Sequence, residues 1–240
     1  MELYRPNITF FESDELLYKH ASTYVADILL DISGNEGAVR FAVSGGSTPM
    51  RLYGDLARNP VLPWEEVELY QVDERYVPVS NEENNQRAVR AAFGESTIER
   101  MKAAYFFRTE KDIEDTLENY EEVLDSLDAP LFDVIVLGIG KDGHFASLFP
   151  EGDYLRGMED KVVATEAGHE YDTNQRLSLT VESILSAETI IVLLKGEDKQ
   201  DVVKELLEGK QSATAYPAKF LLSHPNLHIF QSMEGLTDEV

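Results

Sequence analysis

Asp142 and His144 lie two residues apart in a glycine-rich segment that directly follows a run of branched apolar residues, Val134–Leu137. Histidine changes charge near neutral pH, and a neighbouring carboxylate can orient its ring, so the pair is suited to general acid–base catalysis. The apolar run predicts a buried strand of a parallel sheet, and such sheets bind ligands outside the carboxyl ends of their strands. We therefore expect a catalytic site in the loop after this strand.

The same loop matches a second pattern, because Gly138–Gly143 reads G-x-G-x-x-G, the fingerprint of dinucleotide-binding proteins. In those proteins the last glycine opens a long helix whose N-terminus holds the pyrophosphate. Here Pro150 and Gly152 leave room for barely two helical turns, and Asp142 would place a negative charge against the phosphates. The sequence favours acid–base chemistry over nicotinamide binding, and we predict no cofactor and no metal.

A second polar segment, Ser44–Pro49, follows the predicted strand Val39–Val43 and precedes a predicted helix. Glycines let a backbone approach an anion closely, and a helix N-terminus offers N–H groups and the positive end of a dipole. The pattern predicts Pro49 at the first helical position, with Ser47 or Thr48 as the N-cap. The segment is either a phosphate-binding turn or an ordinary capped connection. The candidate phosphate ligands are Ser44, Gly45, Gly46, Ser47 and Thr48.

Ser44 also lies in an A-x-S-x-G string, which is close to the G-x-S-x-G elbow of serine hydrolases. In that elbow the helix follows the serine at once. Since Pro49 predicts a later helix start, we expect Ser44 at the end of the strand and not at the apex of a turn. The spacing therefore disfavours Ser44 as a nucleophile.

A third polar segment, Asp73–Arg75, follows a predicted strand at 67–72. A guanidinium offers a planar fork for a phosphate or a developing oxyanion, and we expect Asp73 to orient Arg75. The alternative is a solvated cluster of ion pairs at the edge of the sheet. Because the carboxyl ends of parallel strands share one edge of a sheet, the three polar segments should converge.

Alternating strand and helix patterns predict an α/β fold, with a mostly parallel, Rossmann-like sheet covered by helices on both faces. Residues 151–180 contain three glycines and many charges, so we expect an irregular region that forms a lid or a small subregion. No linker divides the chain, which predicts one domain over residues 1–240. The predicted strands are 39–43, 67–72, 132–137, 189–194 and 227–230, and the predicted helices are 14–32, one from Pro49, one ending near Ala92, 112–127 and 197–208.

Composition limits the classes of partner. The 240 residues carry a formal net charge of −24, which argues against nucleic acid, because nucleic-acid binding needs a basic surface. Charges are screened beyond about 10 Å at ordinary salt, so a local group of cations can still bind a small anion. The chain has no cysteine, no apolar run long enough for a membrane span and no signal-peptide pattern at Met1, so we expect a cytoplasmic protein.

The chain resembles the 6-phosphogluconolactonases. The three hallmark motifs of that family are similar to Ser44–Pro49, Asp73–Pro78 and Leu137–Pro150. The likeness extends to Arg176–Thr180, to 196–199 and to Pro217–Leu222, so it spans most of the chain in the family's order. The resemblance implies a fold shared with sugar-phosphate isomerases and deaminases. It also implies hydrolysis of a small phosphorylated sugar lactone, 6-phosphogluconolactone, without metal.

The resemblance also implies roles for single residues. His144 matches the family's general base, with Asp142 and Arg75 as its partners. Arg176 and Lys199 match basic residues near the phosphate. For the oxyanion, either Arg75 or a backbone N–H of the Gly143 loop is a candidate. The predicted catalytic residues are His144, Asp142, Arg75 and Asp73, and the predicted substrate contacts are Ser44, Gly45, Gly46, Ser47, Thr48, Asn85, Gly143, Arg176 and Lys199.

Two other functions remain open on the same fold. Glucosamine-6-phosphate deaminases carry an acid where this chain has Phe149, and a tyrosine where it has Arg75. A non-catalytic sugar-phosphate sensor would tolerate loss of the histidine, whereas this chain keeps both Asp142 and His144. Both comparisons favour the lactonase. We expect His20, His169, His224 and His228 to be surface or structural residues.

Overall fold

A computed structural model describes residues 3–34, 37–168, 172–196 and 199–234. Within these ranges, strands and helices alternate along most of the chain. The strands are β1 (Asn7–Phe11), β2 (Val39–Val43), β3 (Val67–Gln71), β4 (Asp73–Arg75), β5 (Ala103–Tyr105), β6 (Val134–Leu137), β7 (Val162–Glu166), β8 (Gln175–Leu179), β9 (Thr189–Leu194) and β10 (Leu227–Ser232). The α-helices are α1 (Asp14–Ile32), α2 (Ser47–Ala57), α3 (Asn85–Phe93), α4 (Glu95–Arg100), α5 (Ile113–Asp125), α6 (Val181–Leu185) and α7 (Gln200–Glu208).

The central sheet confirms the predicted α/β fold. In the part of the chain that the structure describes, seven strands pair in the order β1-β10-β9-β6-β2-β3-β5, and every pairing is parallel. The five predicted strands are all present, with bounds that differ by at most two residues. The two outermost strands, β1 and β5, were not predicted. A strand at the edge of a sheet is buried less than a central strand, so its sequence carries a weaker apolar pattern. Both β1 and β5 are short and partly exposed.

The apolar run of β6 follows from its central place in the sheet. Successive side chains of a strand point to opposite faces. Val134 and Val136 join the core under α1 and α2, whereas Ile135 and Leu137 join the core under α5, α6 and α7. All four side chains are fully buried, so no position of the strand can be polar. Helices thus cover both faces, as predicted.

Residues 151–180 are more regular than the sequence predicted. They contain β7 and β8, which join β4 in a three-stranded antiparallel sheet of order β4-β8-β7. The expectation of an irregular segment is wrong because β8 is a buried strand, in which the polar residues Arg176 and Ser178 alternate with Leu177 and Leu179 and are themselves buried. None of the helices within the described ranges combines the length and apolar character needed to cross a bilayer.

The start of α2 also differs from the prediction. The helix begins at Ser47, so Pro49 occupies its third position, and neither Ser47 nor Thr48 is the N-cap. Gly46 precedes the helix with a φ of +87°, a left-handed conformation that favours glycine. This turn lets the helix begin two residues early, and Pro49 is tolerated because N–H groups of the first turn have no partner within the helix.

Candidate active site

A cavity of about 370 Å³ lies at the carboxyl ends of β2, β6 and β9, three neighbouring strands near the centre of the sheet. This is the place where parallel sheets bind ligands. The three polar segments converge here, as their order in the sheet predicts. The predicted residues that line the cavity are Ser44, Gly45, Gly46, Ser47, Thr48, Asp73, Arg75, Asn85, His144, Arg176 and Lys199. Asp142 and Gly143 are not among the residues that line it.

His144 and Asp142 form a hydrogen-bonded pair. The His144 Nδ1 lies 2.6 Å from the Asp142 Oδ1, which also accepts a bond from the backbone N–H of His144 at 3.2 Å. Burial tends to raise the pKa of Asp142, but its interactions with His144 outweigh burial and leave the pKa below its ordinary value. Since Asp142 is therefore ionised at neutral pH and only accepts, Nδ1 carries the proton. The basic nitrogen of the ring is then Nε2.

The loop that carries this pair is held from behind by Tyr216. A side chain at Gly143, whose φ is +82°, would meet the Tyr216 ring at 2.5 Å. The Gly143 carbonyl accepts a hydrogen bond from the Ala218 N–H at 2.7 Å, and its own N–H donates to Gly140 at 3.1 Å. The N–H of Gly143 is thus used inside the turn. Gly143 is not among the residues that line the cavity, so it shapes the loop here, and its predicted contact with the substrate stays a prediction.

Phe149 forms an apolar wall beside the histidine. Its ring centroid lies 4.8 Å from that of His144, and the side chain is almost fully buried while lining the cavity. This is the position at which deaminases carry an acid. A phenyl ring can shield the imidazole from water but cannot transfer a proton, so His144 has no second acid at this position.

The polar turn after β2 combines a strand end with a helix start. The N–H of Ser44 donates to the Val136 carbonyl at 3.2 Å, which continues the ladder between β2 and β6. Ser44 therefore lies at the end of the strand, and this geometry argues against a nucleophile elbow. The first residues of α2 face the cavity with N–H groups that the helix does not use. The arrangement suits an anion.

Arg75 and Arg176 bring two positive charges to the cavity. They are direct partners in the antiparallel pairing of β4 with β8, and both line the cavity. Arg176 is 6% exposed, and its Nε donates to the Thr173 carbonyl at 2.9 Å. The Nη1 of Arg75 donates to the Glu83 carbonyl at 3.2 Å. Backbone carbonyls thus help to orient both guanidinium groups.

Asp73 holds the catalytic loop instead of Arg75. Its Oδ2 accepts a hydrogen bond from the Ser147 hydroxyl at 2.8 Å, and no hydrogen bond joins its carboxylate to Arg75 among the described residues. Burial raises the pKa of Asp73, while Ser147 and the charges of Arg176 and Arg75 act in the opposite direction. The expectation that Asp73 orients Arg75 is corrected, because Asp73 bonds to the loop on which His144 lies.

Ser147 fastens the catalytic loop to the small sheet. Besides its bond to Asp73, its carbonyl accepts from the Thr165 hydroxyl at 2.6 Å, and its N–H donates to the Ser178 hydroxyl at 3.3 Å. The neighbouring Ala146 adopts a φ of +51°, a strained conformation for a residue with a side chain. Part of the segment expected to be a lid or subregion therefore supports the loop that carries His144.

Glu74, on the other face of β4, is fully buried and accepts four hydrogen bonds. The donors are Gln71 Nε2 at 2.7 Å and the N–H groups of Arg75, Asn85 and Gln86 at 2.7, 2.6 and 2.8 Å. Two of these N–H groups open α3, so the carboxylate anchors this helix beside the cavity. Burial raises the pKa of Glu74 to about 7 against the effect of these donors. The alternative of a solvated cluster at Asp73–Arg75 is wrong, because both acids are buried.

Two lysines complete the cationic lining, one predicted and one not. Lys199, the residue before α7, donates from Nζ to the Ile139 carbonyl of the glycine loop at 2.9 Å. Lys195 directly follows β9, lines the cavity and bridges to Asp14 at 2.9 Å. Lys195 lies outside the motifs, and the only sequence signal for it is a charge at the carboxyl end of a buried apolar strand.

The described histidines other than His144 have structural partners. The buried His224 bonds through Nε2 to the Ala187 carbonyl at 2.7 Å. His228 contacts the Tyr24 hydroxyl at 2.9 Å, and burial lowers its pKa. His20 packs against the Phe230 ring with centroids 4.9 Å apart. His169 lies outside the described residues.

Comparison with known proteins agrees with this arrangement. A 6-phosphogluconolactonase of Synechocystis sp. is 32% identical over 228 residues, which are 90% of this chain and 91% of that protein. The crystal structure of a 6-phosphogluconolactonase from Shewanella baltica matches with a TM-score of 0.85 and 26% identity, and covers 97% of this chain and 100% of that chain. A monomeric glucosamine-6-phosphate deaminase shares the fold, with a TM-score of 0.80, 20% identity and coverage of 95% and 98%.

The family profile described as glucosamine-6-phosphate isomerases/6-phosphogluconolactonase matches residues 12–229. Of the described strands, this range leaves out β1 and the last three residues of β10, and it includes every residue that lines the cavity. The chain therefore belongs to the glucosamine-6-phosphate isomerase/6-phosphogluconolactonase family.

Proposed function

We propose that this protein hydrolyses 6-phosphogluconolactone to 6-phosphogluconate, the lactonase step of the pentose phosphate pathway. The observation that carries the proposal is that His144, which is hydrogen-bonded to Asp142, lines the same cavity as a phosphate-type turn. A cavity of about 370 Å³ is within the range typical of small-molecule sites. Its four cations, Arg75, Arg176, Lys195 and Lys199, are local exceptions in a chain with a net charge of −24.

In the proposed mechanism, Nε2 of His144 takes a proton from a water molecule as the water oxygen forms a bond to the lactone carbonyl carbon. The ionised Asp142 stabilises the imidazolium that results. Arg75 stabilises the negative charge on the carbonyl oxygen of the tetrahedral intermediate. When the bond from the carbonyl carbon to the ring oxygen breaks, His144 returns the proton to that oxygen. The products are a carboxylic acid, which ionises in water, and a hydroxyl group.

The phosphate of the substrate would lie in the turn formed by Ser44–Thr48, at the N-terminus of α2. Arg176 and Lys199 supply positive charge to the same cavity, which Asn85 also lines. Asp73 and Ser147 act as positioning residues, since they hold the loop of His144 in place. The chemistry proposed here uses no cofactor.

A second candidate function is deamination of glucosamine 6-phosphate, which the shared fold favours. Phe149 argues against it, because no acid stands beside His144 at this position. The test is to incubate the purified protein with either substrate and to measure acid release and ammonia release. We expect acid release from 6-phosphogluconolactone well above its spontaneous hydrolysis and no ammonia from glucosamine 6-phosphate. Ammonia release without lactone turnover would assign the protein to the deaminases.

A further inference from the structure

Lys195 occupies a place in the cavity for which the proposed chemistry has not yet assigned a role. It directly follows the last residue of β9, the strand next to β6, whose loop carries His144. Its Nζ lies 2.9 Å from the Asp14 Oδ2, and its side chain is 41% exposed. A half-exposed ammonium at a cavity wall can reach a ligand without crossing the protein interior.

Tyr18 connects this lysine with the turn proposed to hold phosphate. The tyrosine is 1% exposed, and its hydroxyl donates to the Thr48 carbonyl at 2.8 Å. The Lys195 Nζ lies 5.8 Å from the centre of the same ring, and the Arg51 guanidinium carbon lies 4.7 Å from it. One aromatic ring therefore separates Lys195 from the start of α2.

The ion pair with Asp14 leaves this ammonium available to an anion. Burial tends to raise the pKa of Asp14, but the bonds from Ser232 and Lys195 outweigh it and leave the pKa lowered, so Asp14 is ionised. Ion pairs that contact water contribute little free energy, because solvent screens them. A phosphate dianion carries more charge and more acceptor oxygens than a carboxylate. Exchange of Asp14 for phosphate is therefore favourable.

We propose that Lys195 is a specificity residue that contacts the phosphate of the substrate at the Ser44–Thr48 turn, with Asp14 holding its ammonium in place before the substrate binds. This inference deepens the proposed function and rests on it. Lys199 donates to the Ile139 carbonyl and helps to shape the glycine loop. Lys195 therefore adds to Arg176 and Lys199 in discriminating between a phosphorylated lactone and the same lactone without phosphate.

The direct test is calorimetric titration of inorganic phosphate into the wild-type protein and three variants. Lys195→Gln should weaken phosphate binding about tenfold, because a hydrogen bond between charged groups is lost. Lys195→Arg keeps the charge, and its affinity should stay within about threefold of wild type. The matched control is Lys204→Gln, an exposed lysine of α7 outside the cavity, which should change nothing. Unchanged phosphate affinity in Lys195→Gln would overturn the proposal.

Kinetics separate this inference from the proposed function. Lys195→Gln should raise KM for 6-phosphogluconolactone about tenfold with little change in kcat, and leave KM for gluconolactone without phosphate unchanged. A fall in kcat at constant KM would place Lys195 in the chemical step and contradict the specificity role. A wild-type protein that binds phosphate but does not hydrolyse the lactone would refute the proposed function alone, since the phosphate titration still decides the role of Lys195.

Discussion

Arg75 and Arg176 are direct cross-strand neighbours, and no carboxylate is hydrogen-bonded to the Arg75 guanidinium in the described part of the chain. Like charges placed opposite each other in an antiparallel pair destabilise a sheet. The cost is greater where water is scarce, and Arg176 is 6% exposed. The buried Asp73 carboxylate, whose pKa both guanidinium charges lower, offsets part of this repulsion, and an anionic ligand in the cavity would offset more. The two arginines are therefore placed to bind an anion.

Replacing Arg75 should separate catalysis from stability. Arg75→Lys keeps the charge but loses the planar fork, so kcat should fall by roughly 10²–10³, the effect typical of a lost oxyanion contact. Arg75→Gln removes one of two opposed charges, so its free energy of unfolding should stay equal to that of wild type or rise by up to about 1 kcal/mol. Steady-state kinetics and urea unfolding measure the two effects. A large loss of stability in Arg75→Gln would contradict the interpretation of the pair.

Loss of the catalytic base should affect kcat and spare KM. We expect His144→Gln to lower kcat by about 10²–10⁴ with little change in KM. The variant should fold normally, because the side chain faces the cavity and is 21% exposed. Asp142→Asn should also lower kcat, since an amide no longer favours the proton on Nδ1. A kcat for His144→Gln within threefold of wild type would remove this residue from the mechanism.

The sequence predicted those parts of the molecule in which a single physical requirement, such as burial on both faces, determines the residue types. A central parallel strand must be apolar on both faces, so Val134–Leu137 predicted β6 directly. The sequence also predicted that the polar loops converge, because the carboxyl ends of parallel strands lie at the same edge of a sheet. Asp73 was misjudged because its partner, Ser147, lies 74 residues away in sequence. A contact of this kind follows from how the two sheets pack, which no local pattern records.

The three-stranded sheet was also missed because its contacts depend on tertiary packing. Its strands β7 and β8 read as an irregular charged segment, because their polar residues bond to the catalytic loop and not to water. Lys195 and Tyr216 were missed for a related reason, since each lies one residue outside a segment of resemblance, 196–199 or Pro217–Leu222. Motifs indicated the candidate reacting groups, and tertiary packing determined which residues hold them.

Glu74 should impose a distinctive pH dependence on stability. Its pKa is raised from 4.5 to about 7 in the folded protein, so between these values the folded state holds a proton that the unfolded state has lost. The contribution of Glu74 to the free energy of unfolding must then decrease as the pH rises from 4.5 to about 7. Relative to Glu74→Gln, the wild-type free energy of unfolding should fall by roughly 3 kcal/mol from pH 4.5 to 7. Urea unfolding of both proteins across this range measures the difference. A difference that is constant or rises with pH would show that Glu74 is ionised throughout.

The contact between Gly143 and Tyr216 should control the position of the catalytic loop. Gly143→Ala would force a side chain into the Tyr216 ring at a φ of +82°, so we expect lower stability and a lower kcat. Tyr216→Leu should also lower kcat, because it removes the ring that supports the loop. Tyr216→Phe is the matched control. The Tyr216 hydroxyl is buried without a hydrogen-bond partner in the described structure, so its removal should leave kcat unchanged. Equal activity of the Leu and Phe variants would exclude a positioning role.

Phe149 distinguishes the lactonase from the deaminase. As an apolar wall 4.8 Å from His144, it should be replaceable by leucine with a modest loss of kcat. Phe149→Glu would place a negative charge beside the imidazole and favour its protonated form, so the acidic limb of kcat/KM should move to higher pH. The wild type should release no ammonia from glucosamine 6-phosphate between about pH 6 and 9, because His144 has no acidic neighbour at this position to protonate the sugar ring oxygen. Ammonia release at a rate comparable to lactone turnover would overturn the lactonase assignment, because it would require a proton donor that the lactonase mechanism does not use.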